Sequence, residues 1–157
     1  MGKKEKTPKV SPLTSHIGFW MRLVSNNVSF AFADKLKSSE VAVAEWVILR
    51  EMYAVNGTTS SSHIAELTGL SRGAVSKLIS RLLEKGLVTR KEAGEDRRYQ
   101  DIELTHKAVL LVPNLAILAD KNDEDFFSVL NKSERKALSD VLKKVASLHK
   151  FTTMPIN

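Results

Sequence analysis

The chain has 157 residues and a formal net charge of +6, from 24 Lys and Arg against 18 Asp and Glu, and it is long enough for one domain with its own core. The absence of cysteine excludes a disulfide framework, a thiolate nucleophile and a cysteine metal cluster. No apolar run approaches the roughly 20 residues that span a bilayer, and the basic start lacks the apolar segment of a signal peptide. We therefore expect a soluble cytoplasmic protein without a membrane partner.

The first part of the chain predicts a tail followed by a helix. Residues 1–12 are rich in lysine and almost without apolar side chains, which indicates a disordered basic arm. From Leu13 to Lys37, apolar residues recur at helical steps, and phenylalanines widen the stripe beyond one face. A helix packed both on its own domain and on a partner would have this pattern. The stripe consists of Ile17, Trp20, Leu23, Val24, Val28 and Ala31.

The next two predicted helices lie close together. Ser38 or Ser39 can cap a second helix that has Glu40 in its first turn and ends at Asn56-Gly57. The polar run 58–62 can cap a short third helix over residues 63–68, which Gly69 closes. Helix, tight glycine turn and helix in succession are typical of a helix-turn-helix.

A fourth predicted helix, Ser71 to Lys85, has Ser71 as its cap and Gly86 at its end. It divides cleanly into two faces. One face is apolar and consists of Val75, Leu78, Ile79, Leu82 and Leu83. The other carries the candidate DNA contacts, which are Ser71, Arg72, Gly73, Ser76, Lys77, Ser80 and Arg81. In a helix-turn-helix the N-terminal half of this helix enters the major groove, so we expect the base contacts there.

Two strand-like runs, 87–92 and 99–104, follow the fourth helix and flank a turn that contains Asp96, Arg97 and Arg98. They predict a small hairpin with a basic tip, which is the wing of a winged helix. The segment from Ser60 to Thr105 holds eight basic and seven acidic residues, so the placement of the charges, not their sum, indicates DNA binding. The fold class expected is mainly α with a small β-hairpin wing.

Two further helices are expected after the wing. One runs from Thr105 to about Leu130, and Pro113 should kink or interrupt it. Asn131, with Glu134 three positions on, resembles a capping box for the last helix. That helix should bury its apolar stripe and end near Phe151, where regular structure stops. The stripe consists of Leu138, Val141, Leu142, Val145 and Leu148.

The segment LSRGAVSKLISRLLEKGLV, followed by Asp96-Arg97-Arg98 and then Leu104-Thr105, resembles the MarR family of multiple antibiotic resistance regulators. The order of the elements resembles that family over nearly the whole chain after the tail. The resemblance implies a single MarR-like domain over 13–157, with a winged helix-turn-helix lobe over 38–105. N- and C-terminal dimerisation helices, 13–37 and 106–151, would complete it.

The same resemblance implies a homodimer that binds a pseudo-palindromic operator in double-stranded DNA, typically as a repressor. The helix from Ser71 to Lys85 would read the major groove, while Arg98, held by Asp96, would enter the minor groove. For both Arg97 and Arg98 an ordinary exposed turn remains the alternative. Many family members are released from DNA by a small aromatic effector, whereas the thiol-sensing branch is excluded by the absence of cysteine.

Other residues allow weaker functional interpretations. Trp20 can line an effector pocket with His16, Ser25 and Asn26 as polar partners, although aromatic residues at helical spacing more often belong to a core. The four histidines show no metal-ligand spacing, so we expect no metal and no cofactor. No nucleophile, base and oxyanion donor converge, so we expect no enzyme. The alternative to a DNA-binding regulator is a winged-helix module that binds protein.

Overall fold

The computed structural model describes residues 8–92 and 100–156, in which helices dominate and three short strands form one sheet. The helices are α1 Ile17–Leu36, α2 Val43–Ala54, α3 Ser61–Thr68, α4 Arg72–Glu84, α5 His106–Phe126 and α6 Lys132–Leu148. The strands are β1 Thr58–Ser60, β2 Val88–Glu92 and β3 Gln100–Leu104. Short 3-10 turns cover Leu13–Ser15 and Lys37–Ser39. The expected fold class, a mainly helical winged helix-turn-helix, is confirmed.

The sheet has the antiparallel order β1-β3-β2. Strands β2 and β3 form the expected hairpin, with Arg90 opposite Ile102. Strand β1 was not expected, because its Thr-Thr-Ser sequence reads only as a helix-capping run. It becomes a strand by pairing with β3, where Thr59 lies opposite Ile102.

The hydrophobic core lies between the helix-turn-helix and the first half of α5. Helices α2, α3 and α4 supply half of its buried side chains, the end of α1 contributes Leu36, and Leu115 is among those from α5. Burial of these apolar surfaces is the main stabilising term for this lobe. The core holds α4 on one side, and this fixes which of its faces stays in solvent.

Helix α2 begins later than its sequence suggests. Glu40 adopts a left-handed conformation with φ 55°, and the residue that caps α2 is Ala42. The Glu45 carboxylate accepts a 2.9 Å hydrogen bond from the Ala42 backbone N–H. The expected cap at Ser38 or Ser39 is therefore wrong, because the Glu45 side chain satisfies the helix start in place of a serine hydroxyl.

Pro113 does not interrupt α5, which excludes one of the two expected outcomes, a kink or a break in the helix. The helix is continuous from His106 to Phe126, and Pro113 lies within it. A proline removes the hydrogen bond to the carbonyl four residues earlier, which belongs to Val109. Both Pro113 and Val109 are exposed, so water can satisfy that carbonyl.

Helix α6 has the capping box that its sequence predicts, but its apolar stripe is not buried against the residues that the structure describes. The capping box is confirmed, because Asn131 Oδ1 accepts from the Glu134 N–H and Glu134 Oε2 accepts from the Asn131 N–H, at 2.9 and 2.8 Å. Its apolar stripe, however, is not buried in this chain. Much of the α1 stripe is exposed as well, which leaves two apolar helix faces uncovered. Their exposed members are Ile17, Trp20, Leu23, Val24, Leu138, Val141, Leu142, Val145 and Leu148.

The segment after α6 is ordered against the helix-turn-helix, although the sequence predicts no regular structure there. The Met154 backbone N–H donates to the Leu67 carbonyl of α3 at 2.9 Å, and Ile156 is buried. Among the residues that the structure describes, no helix is long and apolar enough to cross a membrane.

Candidate nucleic-acid interface

The turn between α3 and α4 places the fourth helix at the surface of the lobe. Gly69 closes α3 with φ 70°, a left-handed conformation that glycine adopts without a steric penalty. Two residues later the Ser71 hydroxyl accepts a 3.3 Å hydrogen bond from the Ala74 N–H. The predicted cap of α4 is confirmed, and it satisfies one of the free N–H groups at the start of the helix.

The two faces of α4 separate as its sequence predicts. Val75, Leu78, Ile79 and Leu82 are buried in the core of the lobe. Most of the candidate DNA contacts lie on the opposite, exposed face, and only Ser80 is half-buried. The exposed members are Ser71, Arg72, Gly73, Ser76, Lys77 and Arg81.

The cations on the exposed face of α4 have no acidic partner among the described residues. Arg72, Lys77 and Arg81 form no salt bridge with any Asp or Glu side chain in residues 8–91 or 101–156. Glu84, three residues farther along the helix, therefore does not pair with Arg81. An unpaired cationic face is suited to phosphate oxygens, which carry a full negative charge at each nucleotide.

Gly73 marks a place where the α4 backbone is open to solvent. A Cβ atom built on Gly73 would meet nothing within 4 Å. The absence of a side chain is therefore not required by packing against residues 8–92 or 100–156. At the front of the helix it allows another molecule to approach the backbone closely.

The other end of α4 is fixed to its neighbours by a polar cluster. The Lys85 ammonium donates to the Glu45 carboxylate and to the Glu40 carbonyl, each at 2.6 Å. Glu45 is only 1 % exposed, so Lys85 supplies the cation that its buried carboxylate needs. From the start of α5, Lys107 donates to the Lys85 carbonyl at 2.9 Å. This Lys85 cluster joins α2, α4 and α5 and fixes the axis of the candidate recognition helix.

The hairpin lies beside α4 and carries cations that the sequence interpretation did not single out. Arg90 and Lys91 are exposed on β2, and Lys91 Nζ lies 3.2 Å from Glu103 Oε1 on β3. Arg90 has no such partner among the acidic side chains of residues 8–91 and 101–156. The sequence could have indicated Arg90 as a further candidate DNA contact, because Arg90 lies on a predicted hairpin strand that directly follows α4. The wing-tip candidates Asp96, Arg97 and Arg98 lie outside the described residues.

The four residues suggested for an effector pocket do not line one cavity. His16 and Asn26 line a cavity of about 410 Å³ on one side of α1. Trp20 and Ser25 line another, of about 550 Å³, with apolar side chains from the end of α5 and from α6. The Trp20 indole is fixed there, because its N–H donates to the Thr14 carbonyl at 2.9 Å.

A third cavity, of about 500 Å³, lies where α2 ends beside β1, β3 and α5. It is lined by Tyr53, Asn56, Gly57, Thr58, Glu103, Leu104 and Val109. The sequence interpretation did not identify this cavity, because its residues come from four elements. In residues 8–92 and 100–156, no three His, Asp or Glu side chains lie close enough to hold a metal ion.

The sequence and the fold of this chain are similar to those of known transcriptional regulators. The model of the MarR family matches residues 40–98, which include the helix-turn-helix and the first hairpin strand, β2. The crystal structure of the organohalide-sensing transcriptional regulator RdhR with 2,4-dichlorophenol has a TM-score of 0.80 at 18 % identity, over 98 % of this chain and 96 % of that one.

Two further solved structures share the fold. A MarR variant from E. coli in complex with operator DNA has a TM-score of 0.74 at 19 % identity, over 82 % of this chain and 92 % of its own. BpsR from Bordetella bronchiseptica, whose DNA binding is regulated by 6-hydroxynicotinic acid, has a TM-score of 0.75 at 22 % identity, over 88 % and 98 %. The family match and these folds confirm the resemblance that the sequence carries.

Proposed function

We propose that this chain, which carries a MarR-family winged helix and that family's fold, is a sequence-specific transcriptional regulator that binds double-stranded DNA. The observation that carries the proposal is the exposed face of α4. Its cations Arg72, Lys77 and Arg81, which have no acidic partner in residues 8–91 and 101–156, lie opposite a buried apolar face, beside an antiparallel hairpin. A helix supported in this way can enter a major groove without exposing any of its core.

The position of each cation along α4 determines whether we expect it to contact bases or phosphates. Arg72 and Lys77 lie in the N-terminal half, where side chains reach base edges, whereas Arg81 is better placed for a phosphate. Each phosphate contact releases condensed counterions, so affinity should fall steeply as salt rises. Arg90 on β2 adds a further cation on the wing side of the same surface.

We propose that the regulator acts as a homodimer. The exposed apolar faces of α1 and α6 support this, because contiguous apolar surface of this kind normally marks an interface. A two-fold dimer would present two copies of α4 to the duplex, and its operator would then be pseudo-palindromic.

The DNA-binding proposal is tested by removing the α4 cations one at a time. Arg72→Ala and Lys77→Ala should each weaken binding to the preferred duplex by about 1–3 kcal/mol, measured by fluorescence anisotropy. A residue that reads bases should relax specificity at one position, whereas a phosphate contact should lower affinity for all sequences and reduce the salt slope by about 1.

The matched control is Lys132→Ala, which removes an equal charge from an exposed site at the start of α6. It should leave the affinity nearly unchanged. If the wild-type protein showed no salt-sensitive binding to any duplex, the DNA-binding proposal would fail. A winged-helix module that binds protein would then be the better account.

We further propose that the regulator is a repressor, released from DNA by a small aromatic molecule. Two similar regulators support this, one with bound 2,4-dichlorophenol and one regulated by 6-hydroxynicotinic acid. In this chain the cavity beside Trp20 lies at the edge of the proposed dimer interface, since Leu138 and Leu142 of the α6 stripe also line it. Its size is suited to such a ligand, and Ser25 is a polar group in an otherwise apolar lining. That lining fits an aromatic ring with few polar substituents.

The effector proposal is tested with 2,4-dichlorophenol as the probe. Binding should quench the fluorescence of Trp20 and release the DNA over the same concentration range. Trp20→Phe should abolish the quenching contributed by this residue while Trp46 remains as an internal reference. DNA binding that is unaffected by the probe at saturation of the fluorescence change would argue against this pocket as the regulatory site.

A further inference from the structure

Helix α6 is attached to the rest of its chain near its two ends rather than along its length. Near its start, the Arg135 guanidinium donates to the carbonyls of Phe127 and Leu130 at 3.0 and 3.3 Å. Along its length the helix buries none of its side chains. Beyond its end, however, Ile156 is only 7 % exposed. The segment 151–156, here called the strap, is therefore packed more closely than the helix that precedes it.

The chain reverses direction at the end of α6 through a defined turn. The N–H of Phe151 donates to the Ala146 carbonyl at 3.0 Å, and the N–H of Lys150 donates to the Ser147 carbonyl at 3.2 Å. These two bonds form a Schellman motif, in which the residue in the left-handed conformation is usually glycine. Here it is Lys150, with φ 55°. A disfavoured backbone conformation persists only where the surroundings hold it, and it directs the strap towards α3.

The strap lies on the turn between α3 and α4. The Met154 N–H donates to the Leu67 carbonyl at 2.9 Å, and this carbonyl belongs to the last turn of α3, where helical partners are absent. Thr153 lies directly over Gly69, because a Cβ atom built on that glycine would meet the Thr153 methyl carbon at 3.3 Å. The strap thus covers the glycine that sets the angle between the two helices.

We propose that this surface of the helix-turn-helix, the end of α3 with Gly69, is a docking site for the strap of the same chain, and that the docked strap positions α4. The strap satisfies an α3 carbonyl, restricts the Gly69 turn and connects both to α6. Because the α6 stripe is free to meet a second copy, the strap links the expected dimer interface to the recognition helix. The docking of the strap is inferred from these contacts alone. Its effect on the affinity for DNA rests on the proposed function.

Docking is tested without DNA, by hydrogen–deuterium exchange of the wild-type protein and of two variants. Ile156→Asp places a carboxylate at the buried position, and Thr152→Asp adds the same charge at an exposed position of the strap. In the wild type the Met154 amide should be protected. Ile156→Asp should raise exchange about tenfold at Met154 and in the α3–α4 turn, while Thr152→Asp should leave both near the wild-type rate.

Two exchange results would overturn the proposal. Wild-type exchange at Met154 as fast as in an unstructured peptide would show that the strap does not dock. Faster exchange in the strap of Ile156→Asp without any change from Leu67 to Ala74 would show that it docks without positioning the turn. Circular dichroism of the variant, which should match the wild type, separates both results from global unfolding.

The effect on function is measured with the duplex that the wild-type protein prefers. Ile156→Asp should weaken binding about fivefold to tenfold, with α4 and its cations unaltered. Equal weakening by Thr152→Asp would assign the loss to charge repulsion and overturn the positioning role. If the wild type bound no duplex, the proposed function would fail, and the exchange result alone would decide whether the strap positions the turn.

Discussion

Helices α4 and α6 are both amphipathic, yet only α4 covers its apolar face within the chain. Leu82 of α4 is fully buried, whereas Leu142 of α6, also part of an apolar stripe, is 42 % exposed. The exposed side of α4 is cationic, while the exposed side of α6 includes its apolar stripe. Amphipathic spacing thus predicts that an apolar helix face will be buried. It does not show whether that face packs against the same chain or against a second copy.

The largest expected difference between the two helices is in the free energy of unfolding. Leu82→Ala should destabilise the protein by about 2–5 kcal/mol at every protein concentration, because it leaves a cavity in a closed core. Leu142→Ala should act through association, so its effect on the melting temperature should vary with protein concentration. Calorimetry over a hundredfold range of concentration distinguishes the two. Equal, concentration-independent losses would mean that α6 is covered by its own chain.

A charge in the α6 stripe should break the dimer. Val141 is 58 % exposed in the single chain, so Val141→Asp should be tolerated there and should raise the dimer dissociation constant at least about 100-fold. Analytical ultracentrifugation measures the shift. Ser147→Asp, on the opposite side of the same helix, is the matched control and should leave association unchanged. Dissociation by both variants would point to net charge instead of the stripe.

A substitution near the N-terminus of α4 should increase the stability of the protein while it decreases the affinity for DNA. Gly73→Ala should stabilise the helix by about 0.5–1 kcal/mol, because glycine is the poorer helix former and the site has room. The added methyl group should at the same time weaken binding to the preferred duplex if the backbone approaches DNA there. Chemical denaturation and anisotropy give the two quantities. Increased stability with unchanged affinity would place the duplex farther from Gly73.

The smallest expected effect is at the turn that ends α6. Lys150→Gly should relieve the left-handed strain, and the gain in unfolding free energy should be about 0.5 kcal/mol or less after the entropy of glycine is subtracted. Denaturation of this variant beside Lys144→Gly provides the comparison, because glycine inside the helix should instead be destabilising. A loss of stability in Lys150→Gly would mean that the lysine side chain itself contributes at this turn.

Local signals in the sequence predicted much of the fold. Ser71 as the cap of α4, Gly69 and Gly86 at helix ends and the Asn131–Glu134 capping box are all confirmed, because each depends on residues within one turn. Strand β1 was missed, since Thr58–Ser60 becomes a strand only by pairing with β3. The docking of the strap was missed for the same reason, because Met154 meets Leu67 across most of the chain.

For the candidate site as well, features within one helix could be predicted from the sequence, whereas contacts between separate elements could not. The exposed residues of α4 share one helix, so their spacing alone places them on one face. The Lys85 cluster joins three helices, and no local pattern indicates that the buried Glu45 carboxylate meets that ammonium. The predicted effector residues lie within one short stretch of sequence, yet the structure distributes them over two cavities.

The central claim, that a dimer presents two copies of α4 to DNA, is tested most directly by selecting bound duplexes from a random-sequence pool. The wild-type protein should enrich pseudo-palindromic sequences whose half-site centres lie about one helical turn, or roughly 34 Å, apart. The double variant with Arg72→Ala and Lys77→Ala should enrich them poorly. No enrichment by the wild type would contradict the account, and so would enrichment that the double variant reproduces in full.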